Sequence, residues 1–98
     1  MRAEFIDVQG RHQSNGDPTR LVSELDEMRM ETRKLEFFED GRVGYASADH
    51  PAHGTELGLL PIPPLAEINA DLQFVGTNIT AAEFDALWFK HVPMRTST

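Results

Sequence analysis

Four histidines and an excess of acids are the residues in this chain most able to do chemistry. His50 and His53 stand three apart with Asp49 and Glu56 close by, and imidazole with carboxylate is a donor set that zinc takes. Two rings at that spacing share a face only on a helix. Pro51 lies between them, so a solvated loop without a metal is the expected outcome. His12, Ser14 and Asp17 supply the types of a base, a nucleophile and an orienting acid, but geometry defines such a triad, and no glycine-framed nucleophile elbow is present. The acid pairs Asp26-Glu27 and Glu39-Asp40 fall in predicted turns, where solvated carboxylates have no cause for altered acidity. Glycine loops that cradle phosphates are absent. These features predict no catalytic residue and no cofactor.

The row Arg29, Glu31 and Arg33 is the constellation with the most to offer. Alternate residues of a strand face the same way, so the three could form a charge ladder on the open side of a sheet. Such a ladder could hold register through cross-strand pairs, at about 0.2 to 1 kcal/mol per pair. It could bind a carboxylate or phosphate through the planar guanidinium fork. It could also orient a protein partner. The interface reading takes in Glu24, Asp26, Glu27, Arg29, Glu31, Arg33 and Glu36, which alternation turns outward. The alternative is a small-ligand-binding module or enzyme with a pocket around Arg29, Glu31, Arg33 and His12.

The elements that must position these residues are legible in part. Residues 3–8 read as a short first strand, and the cluster from Gly10 to Pro18 as a loop. From Arg20 to Phe38 the pattern is double. Leu21, Leu25, Met28, Thr32 and Leu35 recur at helical spacing, whereas the charged and apolar residues from Met30 to Phe38 alternate. Asp40-Gly41 between apolar flanks is a strong hairpin signal, predicting a type I′ turn and a strand for Met30 to Phe38. Thr19 to Leu25 reads as a further strand turning at Asp26 and Glu27, with a helix over 20–28 as the alternative, and Arg42 to Ala46 completes a meander. From Ala48 to Pro64 the chain is broken by glycine and proline but anchored by Leu57, Leu59, Leu60 and Ile62, an ordered loop over the sheet. Leu65 to Leu72 makes a short helix with Pro64 in its first turn. The last helix opens on a capping box, Thr80 with Glu83, and aligns Phe84, Leu87, Trp88 and His91 before Pro93 stops it. The expected architecture is α+β: an antiparallel sheet of about four strands with two C-terminal helices packed on one face, in a single domain over 1–94 with a frayed tail over 95–98.

Composition bounds the function classes. With 98 residues, 40% of them apolar, the chain can bury one modest core. Absence of cysteine removes disulfides and thiol chemistry and suits the reducing cytoplasm. No apolar run approaches the roughly 20 residues that span a bilayer. A net charge of −7 repels phosphate backbones, so nucleic acid and membrane are poor partners and a basic protein is a good one.

The core SELDxxRxExRKxExFxDGxxGYA, followed by GTxLGxxPIPxLxEI and an EF-x-x-x-W helix, resembles an uncharacterised family of small bacterial domains of unknown function. The resemblance covers nearly the whole chain and implies an identity without a mechanism. Small acidic domains of that class are often immunity proteins, which block the active site of a toxin. On that analogy this is expected to be an immunity protein, cytoplasmic, monomeric or weakly dimeric, with a cognate toxin as its basic partner.

Overall fold

Strands that carry apolar residues at both parities must be covered on both faces, and the first strand does so, with Phe5 on one side and Ile6 and Val8 on the other. In the computed structural model, which describes residues 3–11, 16–48 and 55–93, both faces are covered. The elements are β1 (Glu4–Gly10), β2 (Arg20–Leu25), β3 (Glu31–Phe37), β4 (Val43–Ser47), α1 (Leu65–Ala70), β5 (Phe74–Ile79) and α2 (Ala81–His91). They form one antiparallel five-stranded sheet in the order β4-β3-β2-β1-β5, with two helices, an α+β fold.

Two expectations about the architecture are corrected. The sheet has five strands where about four were expected, because Phe74–Ile79 pairs with β1 along its length. The helices also lie on opposite faces. β4 and β5 occupy opposite edges, so the chain between them must cross the sheet. It does so over the face of Ile6, Val8 and Leu21, where residues 55–64 and α1 lie. After β5 the chain returns as α2 over the other face, burying Phe84, Trp88 and Val92 on Val22, Leu35 and Tyr45. Arg20–Leu25 is a strand, which settles the ambiguity of that segment. The expected frayed tail over 95–98 lies outside the described residues.

Local chemistry fixes the ends of the elements. Thr80 Oγ1 accepts from the Glu83 N–H at 3.1 Å while Glu83 Oε1 accepts from the Thr80 N–H at 2.8 Å, so the capping box starts α2 as expected. Pro64 precedes α1 as its N-cap, its carbonyl accepting from Glu67 and Ile68. The Asp40-Gly41 turn closes differently from the type I′ expectation. A type I′ turn needs positive φ at both central residues, but here only Gly41 has it, at 94°. The Gly41 N–H donates to the Phe38 carbonyl and the Phe38 N–H to Arg42, which makes a three-residue loop. Asp40 favours this form because its carboxylate accepts from the Arg42 N–H at 3.0 Å and from Arg42 Nε at 2.7 Å.

The edge strand β5 is held by a side chain that imitates a neighbouring strand. Asn69 on α1 accepts from the Gly76 N–H at 2.6 Å and donates to the Gly76 carbonyl at 3.0 Å. That clamp needs a close approach. A β-carbon at Gly76 would stand 2.8 Å from Leu65 Cδ2, so the strand carries glycine where α1 lies against it. Asn69→Ala is expected to cost about 1–3 kcal/mol in chemical denaturation, since both backbone groups lose their partner. Asn69→Asp, which keeps the acceptor but sets a carboxylate oxygen where the donor met the Gly76 carbonyl, should also be less stable than the native chain.

Candidate functional site

The row Arg29, Glu31 and Arg33 is broken by one residue. β2 and β3 pair Glu24 with Arg33 but Leu25 with Glu31, so Thr32 is an extra residue in β3. This is a β-bulge, and it upsets the alternation on which the ladder depends. Arg33 stays on the α2 face, while Glu31 passes to the opposite one. The Thr32 hydroxyl sits between the Glu24 carbonyl at 3.1 Å and the Glu24 carboxylate at 2.8 Å, which holds the bulge in place.

The charged residues expected at an interface therefore divide into three groups. Glu24 and Arg33 form a two-pronged pair beneath α2, at 2.8 and 2.9 Å, and Arg33 Nη2 also donates to Asp85 at 3.1 Å. The guanidinium carbon lies 4.7 Å from the Phe84 ring centre and 5.2 Å from that of Trp88, so the cation also rests on the aromatic core. Hydrogen bonds from Arg33 hold the Glu24 carboxyl below the usual range against the opposing effect of burial, with a further contribution from Thr32.

Glu31 and Glu36 lie on the other face with Lys34 near both, at 3.1 and 3.9 Å. Glu31 also accepts from the Gly58 N–H at 2.7 Å and from Ser23 Oγ at 3.2 Å, and Glu36 from Thr55 Oγ1 at 2.8 Å. With the Glu31 side chain only 5% exposed, this network pins the crossing loop to the sheet.

Asp26, Glu27 and Arg29 form the third group, at the β2–β3 tip. The loop repeats the geometry of the other hairpin, with the Arg29 N–H donating to the Asp26 carbonyl and the Asp26 N–H to Met30, but Arg29 stands where glycine would be easiest, at φ 63°. A residue with a side chain pays about 1–2 kcal/mol there. The guanidinium compensates: Nε donates to the Ile62 carbonyl at 2.7 Å, Nη2 to the Pro63 carbonyl at 2.8 Å and Nη1 to Glu4. The Ile62 N–H in turn donates to the Arg29 carbonyl. Arg29 thus fastens the proline loop to the sheet end, and the Asp26 carboxylate steadies the turn by accepting from the Met28 and Met30 N–H groups.

Of the seven residues, the structure brings only Asp26, Glu27 and Arg29 into one concavity. It is an open depression of about 880 Å³ at the end of the sheet, where Glu4, Phe5 and Asn78 also contribute. Met28, between Glu27 and Arg29 in sequence, is exposed. The alternative pocket around Arg29, Glu31, Arg33 and His12 does not form among the described residues, since the bulge sends Glu31 and Arg33 to opposite faces and Arg29 is tethered to the loop. His12, Ser14, Asp49, His50 and His53 lie outside the described residues. A second, smaller cavity of about 320 Å³ opens on the loop face and was not foreseen, because its walls come from three segments far apart in sequence.

A family model described as a domain of unknown function, DUF6881, matches residues 4–93. The chain belongs to this family. No curated protein and no solved structure matches it. The matched span takes in all seven elements, and the resemblance to an uncharacterised small-domain family is thereby confirmed. Among the described residues no helix is long and apolar enough to cross a membrane.

Two outcomes test this geometry. Arg29→Ala loses the tether and keeps the left-handed strain, while Arg29→Gly loses the tether and relieves the strain. The glycine variant should be the more stable of the two by about 0.5–1 kcal/mol in urea denaturation. Acidification should act in two windows. His91 is held below its ordinary value of 6.5 mainly by burial, with Lys90 and Arg20 adding to it, so the unfolded chain takes up protons first and stability falls as pH drops below about 6.5. The depressed Glu24 carboxyl contributes stability above about pH 4.5 that is lost on further acidification through its folded value. His91→Gln should flatten the first limb and Glu24→Gln the second, read from denaturation midpoints across pH.

Proposed function

We propose that this DUF6881 domain is a binding protein for a basic protein partner, acting as an immunity protein acts when it occludes the active site of a toxin. The observation that carries the reading is the disposition of charge. Five of the described cations, Arg20, Arg29, Arg33, Lys34 and Arg42, are engaged in ion pairs within the domain. Glu27, Glu39, Glu56 and Glu67 make no ion pair with any described residue. The surplus of acid among the described residues is therefore expressed at side chains that face outward.

The β2–β3 tip is the part of that surface best suited to a partner. It sets Glu27, which lines the 880 Å³ depression, next in sequence to Met28, which is 73% exposed. An apolar anchor among acids gives both contact area and orientation, and the tether through Arg29 keeps the tip in place before encounter. The bacterial and cytoplasmic setting belongs to the same proposal, supported by the absence of cysteine and by the class of small acidic domains that the chain resembles.

The test is capture of partners from the native cell on the tagged chain, followed by association kinetics at several salt concentrations. The expected result is one basic protein, bound at micromolar concentration or tighter, with an association rate that falls steeply as salt rises. Glu27→Lys with Met28→Ser should weaken binding at least about tenfold and leave the unfolding midpoint unchanged. Failure to retain any basic protein at low salt would contradict the proposal.

A further inference from the structure

The smaller cavity lies between the sheet and the crossing segment and shares no lining residue with the depression at the β2–β3 tip. Ile6, Val8, Leu21 and Phe74 form one wall, and Ile62 and Ile68 the other. Its volume of about 320 Å³ is at the small end of the range for ligand pockets, enough for one ring or a short chain. What sets it apart is the chemistry of its polar side chains. These are Ser23, Glu31, Glu67 and Asp71, and no cation is among the lining residues.

Each of these groups has acceptor capacity and no hydrogen to offer. Ser23, only 3% exposed, has one hydroxyl hydrogen and directs it to Glu31 Oε2 at 3.2 Å. Lys34 and the Gly58 N–H engage the other oxygen, Oε1. Oε2 therefore retains acceptor capacity, as do the lone pairs of the Ser23 hydroxyl. On the α1 side, Glu67 makes no ion pair with a described residue, and Asp71 Oδ1 accepts the Gln73 N–H at 2.9 Å. A ligand that brought only acceptors would desolvate these oxygens without replacing their hydrogen bonds, at a cost in affinity. A ligand that brought an apolar body and a positively charged donor would suit both the apolar walls, which make up most of the lining, and the few acceptors among them.

We infer that this cavity is a binding site for a small organic amine, its apolar body held between the sheet and Ile62 and Ile68, and its ammonium directed to the acceptors Ser23, Glu31, Glu67 and Asp71. The site is separate from the partner surface proposed above and stands or falls independently of it.

Phenethylamine is a suitable probe, with 2-phenylethanol as a neutral isostere and phenylacetate as an anionic counterpart. Titration followed by methyl-resolved NMR should shift the Ile6, Val8, Leu21, Ile62 and Ile68 methyl signals together. The amine should bind at least about tenfold more tightly than the alcohol, with phenylacetate weakest. Glu67→Gln on α1 with Asp71→Asn at its C-cap, changes at exposed residues that leave the core intact, should reduce that preference by at least about threefold, and Glu39→Gln at the β3–β4 hairpin should not. Equal affinity for amine and alcohol, an unchanged preference in the double variant, or no methyl shift up to about 10 mM amine would each refute the inference.

Discussion

One extra residue in β3 governs the arrangement of charge in this domain. The bulge at Thr32 turns what would be a single row of alternating charges into two separate fastenings on opposite faces. On one side Arg33, held by Glu24 and Asp85, carries the aromatic pair of α2 on its flat face. On the other, Glu31 with Lys34, Ser23 and the Gly58 N–H holds the crossing loop. Paired charges this close to a core contribute specificity of arrangement more surely than net stability, because each must first give up its water. Their consequence here is positional: each face of the sheet acquires one covering element in one register.

The topology explains why two coverings are needed. With β4 and β5 at opposite edges, the chain crosses the sheet once over each face, first as the proline-containing loop with α1 and then as α2. A small domain has little core with which to anchor an irregular crossing. Polar fastenings make up the difference: Thr55 to Glu36, Gly58 to Glu31, Ile62 and Pro63 to Arg29, and Asn69 to both backbone groups of Gly76. The left-handed backbone at Arg29 belongs to the same scheme, since that conformation accompanies a guanidinium bonded to both the loop and Glu4. With Arg20, Arg29, Arg33, Lys34 and Arg42 drawn into ion pairs within the domain, the surplus of acid is left to the surface.

Much of the scaffold was legible from local pattern. The meander of β2, β3 and β4 followed from alternation and the Asp40-Gly41 turn, and α2 from its capping box and the spacing of Phe84, Leu87 and Trp88. β5 was not, because its signals are tertiary. Phe74–Ile79 is mostly exposed and has glycine at its one buried position, and its register comes from β1 and the Asn69 clamp. The charges of the β2–β3 hairpin were recognised as a group but placed by strict alternation, which a bulge defeats. No pattern in Glu31-Thr32-Arg33 distinguishes a regular strand from a bulged one; the difference lies in the Thr32 hydroxyl reaching Glu24 across the pair.

The most direct test of this account is a set of through-space NMR contacts from the β3 side chains. If the bulge is at Thr32, the Arg33 side-chain protons lie over the Phe84 and Trp88 rings, so they should show contacts to both and move upfield by ring-current shielding. The Glu31 side chain should meet the Gly58 amide and not α2. Contacts from both Glu31 and Arg33 to α2, or Arg33 signals at the positions of a solvated arginine, would contradict the account, because the two charges would then share a face.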